Sequence, residues 1–184
     1  MLDLLGIESN ERRIVFTVAS EEKTKKLIQA QKRHMHIGVP GHGIVIAVPI
    51  KSVGGGKTVA FLNGETDNAA YTPSLNYAHE LIVAVCSQGC TDMVMNAARA
   101  AGARGGTVLH GKGTGANGAP KFYNITIAQE KEMILIVAAA SQKTAIMQSI
   151  LKKAGPDSKA GTIVFSLPTT QVAGFALLDN QDET

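Results

Sequence analysis

The period of apolar residues along the chain changes several times, and the changes mark out its elements. "IVFTVA" (14–19) and "ILIVAA" (134–139) are β-branched runs of strand type. Each leads into a segment of helical period, "SEEKTKKLIQAQKR" after the first and "ASQKTAIMQSILKK" after the second. Ser20 is placed to cap the first helix, with Glu21 and Glu22 in a first turn where negative charge suits the helix dipole. Leu27 and Ile28, with Gln31 following, give it only a narrow apolar stripe. Ser141 is placed to cap the second helix, whose stripe of Ile146, Met147, Ile150 and Leu151 is fuller. A second strand ended by proline follows each helix, in "GIVIAVPIKSVGG" (43–55) and "TIVFSLPTTQVAG" (162–174).

The two series form an internal repeat with a spacing of about 120 residues. Lys23 and Thr24 fall on Lys143 and Thr144, Pro49 on Pro168, and Val53 on Val172. Only the second copy has matching elements ahead of it. "ELIVAVCSQ" is a strand, "TDMVMNAARAAGA" a helix with Val94, Ala97, Ala98 and Ala101 on one side, and "GGTVLHGKGTG" a strand entering a glycine loop. "KFYNITIAQEKEMILIVAAA" supplies paired strand material. The order β-α-β-β-α-β predicts an α+β, ferredoxin-like unit, with two helices packed on one antiparallel sheet.

Residues 80–176 thus make one complete unit, and 177–184 a C-terminal tail. Residues 1–55 hold only the later β-α-β part of such a unit, and the polar stretch 56–79 reads as a linker. By the repeat spacing Met1–Asn10 meets Lys121–Glu130. The first unit is therefore expected to be truncated, started at an internal Met, or completed by strands borrowed from elsewhere. A half unit leaves a sheet edge and a helix face uncovered, which predicts packing against the partner unit or another chain.

Composition narrows the function. At 184 residues and 45% hydrophobic, the chain can bury a sizeable core in one domain or two small ones. A net charge of +3, spread along the chain, and the absence of Trp argue against nucleic acid. The longest apolar run, 133–140, is too short to span a bilayer, and the N-terminus lacks a secretory pattern, so a soluble, cytoplasmic protein is expected. Cys86 and Cys90 have neither zinc nor redox spacing and read as reduced small hydrophobes. His34 and His36, in "RHMHIG", could offer two imidazoles to a metal but have no obvious third ligand; a solvated loop pair is the simpler reading.

"SVGGGKTVAF" (52–61) looks like the tail of a phosphate-binding P-loop. The pattern requires glycine where Lys51 stands, and a helix after Thr58 where Asn63-Gly64 makes a turn. The P-loop reading fails on context, and no nucleophile with an adjacent base or sensibly spaced carboxylate pair suggests an enzyme.

"VCSQGCTDMVMNAARAAGARGGTVLHGKGTG", "EKEMILIVAAASQKTAIMQSILKK" and "GTIVFSLPTTQVAGF" together resemble the PII nitrogen-regulatory signal proteins, and more closely PII-like members with two tandem units. The resemblance implies a non-catalytic, trimer-forming protein that binds ATP or ADP, often with 2-oxoglutarate, in clefts between subunits and signals through a loop after the second strand. It implies ligand-binding roles for Gly111, Lys112, Gly113 and Thr114 at the base of that loop. Close backbone approach to phosphate suits glycine there, and Lys112 could supply charge.

Several positions depart from the family. The loop is short and its Tyr123 gives no basis for a uridylylation site. The second phosphate loop keeps Gly41, His42 and Gly43 in the first copy but has Ile44 for the family's lysine, and the second copy has Ala160, Gly161, Thr162 and Ile163. Beyond the last strand, "QVAGFALL" holds no basic residue; in the first copy Lys57 is the corresponding candidate. The leading expectation is a PII-like regulator that binds a small anionic effector, an adenine nucleotide such as ATP, ADP or AMP being the candidate, with a regulated protein partner. The alternative is an oligomerisation or metal-binding module of the same fold using His34, His36 or His42.

Overall fold

The computed structural model describes residues 14–37, 39, 42–50, 75–113, 121–122, 125–126 and 129–174. In chain order the elements are α1 (Glu21–His34), β1 (Val45–Ala47), β2 (Asn76–Ser87), α2 (Thr91–Arg99), β3 (Thr107–Gly113), β4 (Lys121–Phe122), β5 (Ile125–Thr126), β6 (Gln129–Ala139), α3 (Ala140–Ala154), β7 (Ile163–Thr169) and β8 (Gln171–Ala173). Among the described residues no helix is long and apolar enough to cross a membrane.

The expected β-α-β-β-α-β order is present as β2-α2-β3-β6-α3-β7. These strands form one antiparallel sheet in the order β3-β6-β2-β7. Alternation along β2 and β6 sends Ile82, Ala84 and Cys86, with Ile134, Ile136 and Ala138, to one face, where α2 and α3 cover them with Val94, Ala97, Ala98, Ile146 and Ile150. Five fully buried isoleucine side chains, at 82, 134, 136, 146 and 150, anchor this core, and each contributes about 2–3 kcal/mol by burial. Gly106, entering β3, fits because a Cβ there would press on Met95, Ile134 and Ile136.

The opposite sheet face is also apolar. Leu81, Val83 and Val137 are buried there, and Ile46, Val48 and Val172 pack against them from the β1-β8 pair. That pair is antiparallel, with Val45 opposite Ala173 and Ala47 opposite Gln171, and the Thr170 N–H donates to the Ala47 carbonyl at 2.9 Å. α1 lies on it through Ile28, which meets Ala173, Val45 and Ala47. β1 thus takes its strand neighbour from β8, the short segment that follows β7.

Other expectations need correction. Residues 14–19 form no strand in this chain: in the complete unit β6 is held by β2 and β3, and no counterpart of either lies beside this segment among the described residues. Ser20 does cap α1, its hydroxyl accepting the Lys23 N–H at 3.5 Å. Ser141 does not cap α3, because β6 runs directly into a helix that starts at Ala140, after Ala139, without a side-chain cap. Its buried stripe is Ile146, Ile150 and Ala154, which turns Leu151 outward. α2 ends at Arg99, earlier than the apolar pattern implied, and its C-terminal turn closes on Gly102 at φ 100. β2 starts at Asn76, inside the stretch read as linker, and a register irregularity follows between Asn76 and Glu80.

Candidate functional site

β3 ends in Gly111, Lys112 and Gly113, opposite Lys131, Glu130 and Gln129 of β6. Nothing lies within 4 Å of where a Cβ on Gly111 would be, so the backbone there is open to close approach. At Gly113 a Cβ would meet the Lys131 stem at 3.0 Å; the glycine lets that side chain lie across the strand end. The Lys131 ammonium then donates to the Ser87 hydroxyl of β2 at 3.3 Å. Lys112 points to the other face, where its ammonium sits 3.4 Å from the Glu130 carboxylate in a largely exposed pair. Two lysines thus flank a glycine-rich strand end, one on each face.

Beside them, Glu132 is 5% exposed and fully engaged. One carboxylate oxygen accepts the Gly89 N–H at 3.1 Å; the other accepts the Thr91 N–H at 3.1 Å and the Thr91 hydroxyl at 2.6 Å. Cys90, the residue in the N-cap position of α2, provides no side-chain cap, so the strand carboxylate does that work. The Thr91 hydroxyl first, then the Gly89 N–H, hold the Glu132 carboxyl below its ordinary range against the opposing effect of burial. His110 Nδ1 lies 3.7 Å away on the exposed side. Glu132 therefore links α2 to the strand pair that carries the glycines.

Of the sequence-derived candidates, Gly111, Lys112 and Gly113 come together at this end of the sheet. Thr114, Gly41 and Lys57 lie outside the described residues. His42 and Gly43 sit on the β1 side, where Gly43 takes φ 109 and its carbonyl faces the backbone of Gly174 at φ 86, a position where any Cβ would overlap that carbonyl. Gly43 thus serves the packing of β1 against the end of β8. His42 Nδ1 lies 3.3 Å from the Met35 carbonyl, and its ring stands edge-on to His36 with centroids 6.1 Å apart. Two imidazoles do not make a metal site, and no group of three metal-binding side chains occurs among the described residues.

Lys131, Glu130, Glu132 and His110 escaped the sequence reading. The signal that could have found them is the β3-β6 register, which needs a fixed hairpin length. The long strand starts only at Gln129, past the strand material expected from Lys121 on, so its register against β3 does not follow from the loop sequence. Cys86 and Cys90 are buried and unpaired, as expected, and burial pushes the Cys86 thiol up to about 11.

No curated protein matches the chain. Among solved structures, the crystal structure of Arabidopsis thaliana PII bound to citrate is similar at 20% identity, covering 50% of this chain and 77% of that one, with a TM-score of 0.39. The family model described as nitrogen regulatory protein P-II matches residues 79–175, which take in β3, β6, β7, both helices and β2 except its first residues. The chain belongs to the nitrogen regulatory protein P-II family, whose members are non-catalytic signal proteins and typically trimeric.

Proposed function

We propose that this protein is a P-II-type regulator that binds a small anionic effector of the adenine-nucleotide class at the Gly111–Gly113 end of β3 and signals to a protein partner. The observation that carries the reading is that strand end: open backbone at Gly111, flanked by Lys112 on one face of the sheet and Lys131 on the other, inside the matched P-II span. Backbone N–H groups with an ammonium group beside them suit phosphate oxygens. Glu130 already neutralises Lys112, so an incoming phosphate competes with a carboxylate and affinity is modest.

The effector site is completed by a neighbouring copy in a homo-oligomer, with a trimer favoured. The support is the sheet face away from α2 and α3, where Met133, Ile163 and Phe165 are exposed beyond the area that β1 and β8 cover. We also read residues 1–55 as a partial second unit, supported by the match of α1 and β1 to α3 and β7 in the repeat.

Titration calorimetry with ATP, ADP and AMP, each with and without 2-oxoglutarate, tests the effector reading. Saturable heat with at least one nucleotide, weakened in Lys112→Ala, is expected. No heat with any of them, from folded and oligomeric protein, would refute it.

A further inference from the structure

We infer that residues 14–19 are an intermolecular strand, which adds to the free edge of β7 in a second copy of this chain. The inference rests on the homo-oligomer reading above and deepens it.

Ile14–Ala19 carries no charge and has the β-branched character of a sheet strand. Its counterpart in the repeat, 134–139, is an interior strand of the main sheet. Yet residues 14–19 enter no ladder, and Val15 and Phe16 are 83% and 80% exposed, more than any other large apolar side chain described. The segment runs straight into α1, whose start is fixed by the Ser20 cap. β1 and β8, the two-stranded sheet under α1, span only three residues each and are too short to carry a six-residue strand on their other edges.

β7 supplies the complementary feature. Among the described residues it pairs only with β2, which leaves one edge of Ile163–Thr169 open there. Native edge strands are blunted by charge, proline or bulges. β7 has no charge, and Pro168 guards only its far end. Ile163 and Phe165 are 65% and 43% exposed on this edge strand. Ile14, Phe16 and Val18 alternate as Ile163, Phe165 and Leu167 do, so an added strand continues the same apolar face and sets aromatic against aromatic. Both halves of the contact belong to one sequence, and neither carries a charge that would select a different protein. A second copy is the occupant that fits.

The test mixes full-length protein carrying Phe16→Cys with a size-tagged full-length protein carrying Phe165→Cys, and treats the mixture with a short bismaleimide. Cys86 and Cys90 are buried and stay silent. Cross-linked pairs of one tagged and one untagged chain are expected at about ten times the yield of a mixture with the cysteine at Met93, on the helical layer, and Phe16→Lys should raise the concentration for half-association by about tenfold. An oligomer that persists with no link above the Met93 control overturns the strand inference and leaves the oligomer reading standing. A monomer at micromolar concentration overturns both. A link formed within one chain that carries both cysteines, at high dilution, also overturns the inference by making the contact internal.

Discussion

Glu132→Gln separates a carboxylate that organises the site from one that merely occupies a strand. The wild-type carboxylate accepts three hydrogen bonds, from Gly89 N–H, Thr91 N–H and the Thr91 hydroxyl. Hydrogen bonds to a charged group contribute about 1.5–3 kcal/mol each when considered singly, and charge near a helix N-terminus adds to this. The amide keeps one acceptor oxygen but turns an NH2 toward a backbone donor. With the two Thr91 bonds retained on the amide oxygen, the Gly89 bond lost and the charge removed, the expected loss is about 2–3 kcal/mol at neutral pH. For a chain of this size that lowers Tm by about 5–10 °C.

The pH dependence gives the sharper readout. The folded carboxyl is held below its ordinary value of 4.5, mainly by the Thr91 hydroxyl and then by the Gly89 N–H. The unfolded chain therefore takes up this proton more readily than the folded one. The stabilisation is fully present above the unfolded pKa and disappears as pH falls through the folded pKa. Urea unfolding of wild type and Glu132→Gln should show a constant gap near neutrality that narrows as pH falls below the ordinary carboxyl value of 4.5. Equal midpoints at neutral pH, or a gap unchanged down to about pH 3, would refute the reasoning.

Gly174→Ala forces a side chain onto a left-handed backbone and into the Gly43 carbonyl; it should cost about 2 kcal/mol and release β1 and α1, read as faster amide exchange there with the main unit's exchange unchanged. Glu130→Gln removes the competitor for Lys112 and should tighten nucleotide binding about twofold in calorimetry. Because Cys86 and Cys90 are buried and the Cys86 thiol titrates near 11, a thiol reagent should label neither in native protein at neutral pH and both in urea.

The fold of residues 76–169 was legible because β2, β6, α2 and α3 each present one apolar face with the right period, and that face is the one buried. Ile82, Ala84 and Cys86 alternate in sequence as they do in the sheet. Residues 14–19 carry as strong a strand pattern and yet do not pair, because a strand needs a neighbour and local pattern does not supply one. The same limit hid the origin of the β1 partner: nothing local in "VIA" or "QVA" says that these two segments, far apart in sequence, form a ladder. At the candidate site the glycines and Lys112 were visible as a motif. Glu132 was not, since a carboxylate on an apolar strand signals a cap only once the strand is known to pass the start of α2.

The central claim is that an anionic effector binds at the end of β3. Hydrogen exchange of the full-length protein with and without saturating adenine nucleotide tests it most directly. The account predicts slowed exchange at residues 107–113 and 129–132, reduced in Lys112→Ala. Protection confined to other parts of the chain, or none at saturation, would contradict it.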